Sequence, residues 1–467
     1  MILYRKLTLT FRLSVHMVLT QHSIRFFTEC PNIRLVEIIT MEVEYSQVDG
    51  KINFIFSLSE SDGSYSDKIK MGSNKISIDY KGNLSLHHIH FDHLALAAML
   101  IANPFIGKEL VLPFPISERF HESTKRITKY KIITQENHID PYEPGEGSKP
   151  GLSFSGGADS TAALVLMPKD TVSVFLDRPL KRGASLYNKS AAYATIEHAR
   201  NVGHDVRQIE CDLEYLRDPV GFPTDLATSL PIILMASKEN IDSVSYGTIL
   251  ESAYRVGHES SRDYINSGHY RVWGSLFEAA GIPLYMPVAG ISEVGTSHIV
   301  MNSSFYDYTR SCIRGKFPKS CQNCWKCFRK TLVDKRLQGD PVDEADMAKW
   351  LKVKEVKYKL RPHPISHENV LSWSLQGENS GGETKQLLMN RMEGSIRNMD
   401  FLFSWYSPSI VLIPEKYRKE TESKILNYLD KMDEKYHDDI ISHTMTEWLN
   451  SESAQRALGI FSNLIKD

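Results

Sequence analysis

The sequence predicts an α/β protein organised around a doubly wound parallel sheet, with a β-rich α+β module before it and a helical region after it. Three observations carry this. Between residues 151 and 286, apolar stretches of strand length alternate with longer helical segments, as right-handed crossovers between parallel strands require. Between residues 43 and 86, apolar side chains recur at every second position and are interrupted by Asp-Gly and Lys-Gly-Asn turns. From about residue 340 the segments are helical and charged. A chain of 467 residues exceeds one ordinary hydrophobic core, so two or three domains are expected.

Taken in order, residues 1–40 form a leader. Residues 1–28 carry Arg5, Lys6, Arg12 and Arg25 and no acidic residue, a composition that resembles a targeting segment. Arg12, His16 and Gln21 break the apolar runs, so membrane insertion is not expected. Either the leader is poorly ordered or the native product starts at Met41. The module at 41–140 opens with a hairpin: Val43 and Tyr45, a turn at Asp49-Gly50, then Ile52, Phe54, Phe56 and Leu58. A second hairpin is predicted from Ile76, Ile78 and Tyr80 through Lys81-Gly82-Asn83 to Leu84 and Leu86, followed by a helix over 95–100 that stops before Asn103-Pro104. Three prolines and two glycines in 140–150 oppose helix and central strand, which places a domain boundary there. Strands are then expected at 151–155, 171–176, 206–209, 243–246 and 284–286, and helices from 160 and over 186–201, 225–239 and 270–280, within a domain spanning 150–335. Gly377, Gly381 and Gly382 interrupt the helical region, 340–467.

Fifty-five basic against 57 acidic residues leave a net charge of -2, so no global field favours nucleic acid or acidic lipid. Six cysteines are too sparse for a disulfide scaffold, and four of them crowd into one stretch, which points to a metal in a reducing compartment, the cytoplasm.

Residues 151–160, Gly-Leu-Ser-Phe-Ser-Gly-Gly-Ala-Asp-Ser, read as a buried strand running into a phosphate-cradling loop. Gly156 and Gly157 allow a tight turn with backbone amides close to an oxyanion, and the helix that follows adds its positive end. The lysine of a Walker loop is missing. The alternative is a plain strand-to-helix turn capped by Ser160, but ligands sit at the carboxyl ends of parallel strands. The run Ser155-Gly156-Gly157-Ala158-Asp159-Ser160 resembles the S-G-G-x-D-S signature of the PP-loop, or N-type ATP pyrophosphatase, superfamily, which has a HUP-like fold. That resemblance implies ATP and Mg2+, with the loop gripping the pyrophosphate portion while a substrate oxygen attacks the α-phosphate. It assigns backbone donors to Gly156, Gly157 and Ala158, hydroxyls to Ser155 and Ser160, and organisation of Mg2+ to Asp159, so that Asp159 and Ser160 are the catalytic candidates. Asp177, at the end of the next strand, falls where adenine is approached, and equally suits the start of a turn.

Cys312, Cys321, Cys324 and Cys327 follow a C-x8-C-x2-C-x2-C spacing able to close a tetrahedral thiolate site, for which zinc is preferred and an iron–sulfur cluster is the competitor. Cys30 and Cys211 have no partner pattern. The loop together with this knuckle resembles the 7-cyano-7-deazaguanine synthases of queuosine biosynthesis over residues 150–335, including Ser311-Cys312, Ile282-Pro283-Leu284, 291–294 and 244–248. The resemblance implies a structural Zn2+ and a carboxyl-deazaguanine substrate that is adenylated, converted to an amide by ammonia, and dehydrated to a nitrile with a second ATP. A base pocket needs a stacking ring and paired hydrogen-bonding groups, for which Tyr246, Gly247, Glu251 and Asp307, with Tyr254 and Phe305, are the candidates; each also fits a core position.

Two departures matter. The family's Tyr-Pro-Asp-Cys-Arg stretch is absent at 251–255, and its arginine three residues after the last cysteine is replaced by Lys330, with Arg329 one place earlier. These changes, and the long flanks, weaken the nitrile step and leave amide formation as the expected chemistry. The flanks raise an alternative, conjugation of the activated deazaguanine to an amine of a protein partner, as in long relatives resembling components of antiviral defence clusters. A nucleotide-binding scaffold without chemistry is the third reading. His87, His88, His90 and His93 offer a metal cluster only if they share a face, and on a strand His87 would point away from His88 and His90. No basic stretch interleaved with aromatics indicates nucleic acid.

Overall fold

In the computed structural model, residues 16–20, 23–27, 40–137, 139–180, 187–376 and 382–465 are described. The chain forms two compact units, Met1–Ile38 and Ile39–Asp467. The first contains an antiparallel pair, β1 (His16–Thr20) and β2 (Ser23–Phe27), with Thr20 opposite Ser23. The rest of the expected leader lies outside the described residues, apart from Thr40.

The second unit opens with β3 (Thr40–Val48) and β4 (Lys51–Ser57), paired so that Val48 faces Lys51. Asp49 and Gly50 both have positive φ, 51° and 76°, the left-handed pair that a two-residue hairpin turn matching the strand twist demands. Met41, Val43, Ile52, Phe54 and Phe56 are buried. A small sheet of β5 (Ser64–Ser66), β6 (Ile69–Met71) and, much later in the chain, β13 (Arg217–Asp218) lies outside the main one.

The second expected hairpin does not form. The turn is present, with Lys81 and Gly82 at φ 51° and 76°, but Leu84 leads into a short 3-10 turn, Leu86–His88, instead of a return strand. Both edges of β7 (Lys75–Asp79) are already taken: Ile76 pairs with Phe54 of β4, and Ile78 pairs with Cys211 of β12 (Asp205–Cys211). Helix α1 (Phe91–Ala102) starts earlier than expected and ends at Asn103, and β8 (Glu109–Val111), α2 (Glu118–Thr124) and β9 (Lys131–Ile133) complete this part.

Beyond the Pro/Gly-rich stretch follow β10 (Lys149–Ser153), α3 (Ala158–Leu166), β11 (Val172–Asp177), α4 (Ser190–Asn201), β12, α5 (Leu230–Glu239), β14 (Ile241–Tyr246), α6 (Leu250–Ala253), α7 (Gly268–Ala279), β15 (Leu284–Tyr285), α8 (Glu293–Met301) and α9 (Trp325–Gln338). One ten-stranded, mostly parallel sheet runs through both expected domains in the order β15-β14-β10-β11-β12-β7-β4-β3-β8-β9. The first five are all parallel, and the joint with the amino-terminal part is the antiparallel β12–β7 pair. Residues 140–150 are therefore a connection within one compact unit. Counted along the chain, the five parallel strands stand 3-2-1-4-5, so the order reverses between β10 and β14, the position at which open α/β sheets take ligands.

From Glu344 the chain is helical, ending in Glu452–Leu464. Gly377 and Gly381 lie outside the described residues, while Gly382, at φ 130°, precedes the helix Glu383–Asn390. Among the described residues no helix is long and apolar enough to cross a membrane.

Candidate functional site

The loop between β10 and α3 sits at that reversal. Leu152 and Phe154 are buried and anchor the strand end, whereas Ser155 and Gly157 face outward. Gly156 turns the chain at φ 71°, and a Cβ there would come within 3.1 Å of the Ala192 backbone in α4, so glycine is required on both counts. The Ser155 amide donates to Ser160 Oγ at 3.1 Å, the two hydroxyls lie 2.9 Å apart, and Ser160 Oγ donates to the Gly157 carbonyl at 3.2 Å. Helix α3 begins directly on Gly157, which has no side chain to cap it; the Gly157 amide donates to Ser155 Oγ at 3.4 Å. Gly247, just past β14, approaches so closely that a Cβ would lie 2.7 Å from the Ser160 amide nitrogen. Asp159 Oδ1 accepts a hydrogen bond from Thr296 Oγ1 of α8 at 2.9 Å.

Two cavities flank the loop. One, of about 310 Å³, runs from Ser155 and Gly157 along Phe175, Leu176 and Arg178 to Tyr187. The other, of about 360 Å³, lies between α8, α9 and the cysteine knuckle and touches Ala158, Asp307 and Asp334. Arg310, Ser311, Cys312 and Lys326 line both. The Ala158 amide donates to Ser311 Oγ at 3.3 Å, which ties the first turn of α3 to the knuckle.

The knuckle gathers Cys312, Cys321, Cys324 and Cys327 with their sulfurs all within 4.8 Å of one another, an arrangement that could hold a metal ion such as zinc. The Cys321 and Cys327 sulfurs are 3.7 Å apart, close to the edge of about 3.8 Å that tetrahedral Zn–S bonds of about 2.3 Å produce. Backbone amides of Cys321, Asn323 and Cys327 donate to the sulfurs of Cys312, Cys321 and Cys324, each at 3.4 Å, as negative thiolates favour. It is the one group of three or more such ligands among the described residues.

Behind the loop lies a buried charge network. Glu293 at the start of α8 pairs with Arg329 at 2.8 Å and Lys330 at 3.3 Å, both on α9. Burial opposes its ionisation, but Lys330 and Arg329 hold its carboxyl well below the usual range. Burial would likewise discharge Lys330, yet Glu293 and then Asp159 keep its pKa raised.

The other expected pocket residues are dispersed. Glu251 is buried, accepting from Asn369 Nδ2 at 3.0 Å and from the Glu293 amide at 3.1 Å; burial, then the charge of Glu293, pushes its pKa up to about 8. It is a strut joining α6 to the carboxy-terminal helix Glu368–Leu375. Tyr246 is buried, and Tyr254 packs edge-on against Tyr406 with ring centres 5.1 Å apart. Phe305 packs against His198. Asp177 is held by Lys189 at 2.5 Å and Tyr193 at 2.8 Å and does not line the 310 Å³ cavity, although its neighbours Leu176 and Arg178 do. Asp307 alone of the candidate base-binding residues is exposed and lines a cavity. Lys326 and Asp334, which belong to no motif in the sequence, flank Lys330 at four-residue spacing on one helix face.

Fold and site together define a mixed α/β protein whose glycine-rich loop and cysteine knuckle share a wall. A family model described as a family of unknown function (DUF6395) matches residues 272–443, which includes α8, the knuckle and α9. No curated protein and no solved structure matches the chain.

Proposed function

We propose that this chain is an ATP-dependent C–N ligase of PP-loop type. It adenylates the carboxylate of a 7-carboxy-7-deazaguanine-like base, releases pyrophosphate, and forms an amide with release of AMP. The observation that carries this reading is the start of α3, reached through Gly156-Gly157 at the carboxyl end of β10 where the parallel strand order reverses.

A carboxylate is a poor acyl donor until its oxygen becomes a good leaving group, which is what ATP supplies. The chain contributes positioning and charge neutralisation. The amides of Gly156, Gly157 and Ala158 and the hydroxyls of Ser155 and Ser160 suit phosphate oxygens; the Asp159 carboxylate, oriented by Thr296, suits Mg2+. A zinc-loaded knuckle would be structural, stiffening the wall that Ser311 presents to both cavities. The amide stage is the natural end point, because the pocket residues expected from the nitrile-forming family do not converge.

The test is pyrophosphate release from ATP and 7-carboxy-7-deazaguanine in the presence of ammonia, with products identified by mass spectrometry. Asp159→Ala should lower the rate at least about a hundredfold, the scale of losing one charge-stabilising group. Undiminished release in that variant overturns the assignment of the loop. Absence of release from the unaltered protein with any carboxylate leaves a nucleotide-binding scaffold.

A further inference from the structure

We infer that a groove beside the start of α1 is a docking site for a protein segment in which Lys or Arg stands next to aromatic or aliphatic residues. The groove, of about 1030 Å³, is built mainly from β3, the Leu86–His88 turn, the first turn of α1, the segment after β8 and residues 139–142. No residue of the glycine loop or of the knuckle lines it, and the inference does not depend on the ligase reading.

The wall of the groove is aromatic. Phe91, the first residue of α1, stacks on Phe114 with ring centres 4.8 Å apart and planes 10° from parallel, and Tyr45 packs on the same Phe114 at 5.2 Å. Phe91 remains 38% exposed. The Tyr45 hydroxyl donates to the Leu94 carbonyl at 3.3 Å and the Tyr142 hydroxyl to the Ile241 carbonyl at 3.0 Å, so what both tyrosines offer the groove is ring surface.

The charge of the groove has one sign. Glu44 and Asp140 line it, no lysine or arginine does, and neither carboxylate makes a hydrogen bond or ion pair among the described residues. Ring faces and carboxylates attract the same ligand, because the ring quadrupole and the negative charge both favour a cation. Lysine and arginine satisfy the two together, with the apolar stem along the rings and the head at a carboxylate. Size and shape then separate a single amine from a chain. Pockets that enclose one small molecule run up to about 1,000 Å³, whereas Glu44, His87, His88 and Asp140 are all exposed and leave this groove open. An extended segment with cationic side chains toward the carboxylates and an apolar one over Phe91 matches it, and the ring nitrogens of His87 and His88 offer hydrogen bonds to its backbone.

Selection of a random octapeptide library displayed on phage against the full chain, at low salt, tests this. Enriched sequences should combine Lys or Arg with Phe, Tyr, Trp or Leu and be poor in Asp and Glu. By fluorescence anisotropy, an enriched peptide carrying a fluorescein label should bind the double variant Glu44→Lys, Asp140→Lys at least about tenfold more weakly, since like charges then face each other. Phe91→Ala should weaken it severalfold, and Asp159→Ala should leave it unchanged. Both carboxylates are exposed, so the double variant should melt with the unaltered protein; if it does not, Asp140→Asn alone should weaken the peptide in the same direction by a smaller factor. A selection that enriches no sequence or enriches acidic ones, or equal binding to the charge-altered and unaltered proteins, overturns the inference. Argininamide alone binding as tightly as the peptide also overturns it, because the groove would then be a pocket for a small amine.

Discussion

The groove beneath α1 and the pair of cavities beside the glycine loop differ in how their polar side chains are used. The groove is larger, about 1030 Å³, and holds His87, His88 and His90 among Tyr45, Phe114 and Tyr142. On residue type it looks the richer site, yet the histidines do not converge on a metal: His87 and His88 are exposed and their side chains make no hydrogen bond among the described residues, and the other two are occupied elsewhere. His90 is spent on the Asp92 amide at 3.2 Å and the Asp140 carbonyl at 3.0 Å. His93 is buried, with Ser237 Oγ at 3.1 Å from one ring nitrogen and the Ala280 carbonyl at 3.0 Å from the other. Beside the loop, Lys326 and Asp334 line a cavity and make no side-chain hydrogen bond or ion pair among the described residues. Groups that satisfy one another hold a fold together; groups left unsatisfied at a cavity are available to a ligand.

The sharpest way to break this contrast is at Gly247. A methyl group there would lie 2.7 Å from the Ser160 nitrogen and 2.9 Å from the Asp159 carbonyl carbon, both backbone atoms with no room to yield. Gly247→Ala should displace the first turn of α3 and lower ATP-dependent turnover tenfold to a hundredfold, roughly the range for a misplaced reacting group. His88→Ala in the groove should leave turnover unchanged. Equal losses in the two variants would erase the distinction.

The next largest effect concerns the knuckle. Cys324→Ser keeps an oxygen able to accept the Cys327 amide at the start of α9, so the helix cap survives while a thiolate is lost. Metal analysis should find about one zinc per chain in the unaltered protein and a large loss in the variant, with a lower melting temperature because binding and folding are coupled. Iron and sulfide in place of zinc would reassign the centre. Equal metal content in both would remove Cys324 from the ligand set.

Much of this was legible in the sequence, for reasons that differ by element. Asp49-Gly50 announces its turn because few residue pairs tolerate left-handed conformations at both positions. The parallel strands announce themselves through alternation with helices. The junction of the two halves of the sheet had no comparable signal: it consists of Glu210 opposite Asp79 and Cys211 opposite Ile78, residues far apart in the chain. Leu84 and Leu86 have the right period for a strand and no free edge to join. In the site, the spacing of the four cysteines suffices to bring them together, whereas Tyr246, Glu251 and Tyr254 rest on residue type alone, which does not say which way a side chain points. A shift of one residue along a strand exchanges the two faces.

The smallest effect on turnover, and the cleanest on stability, belongs to His93. Burial, with the neighbouring His90 adding to it, lowers its pKa from 6.5 to about 3, so the folded protein holds the ring neutral where the unfolded chain would protonate it. Below pH 6.5 the unfolded state therefore binds the proton and gains free energy that the folded state does not, until the pH approaches 3. Stability should fall by about 2 kcal/mol between pH 7 and pH 5 from this group alone. Denaturant titrations of the unaltered protein and His93→Leu at the two pH values isolate it: the variant should lose that part of the slope. At pH 7 the variant should be less stable by about 1–3 kcal/mol, because the Ala280 carbonyl is left buried without its donor. Pyrophosphate release at pH 7 should be unchanged in the variant, since the groove side of the molecule contributes packing to the fold and no group to the loop. A slope identical in both proteins would mean that His93 is protonated in the folded state, and a drop in turnover would mean that the groove and the loop are coupled.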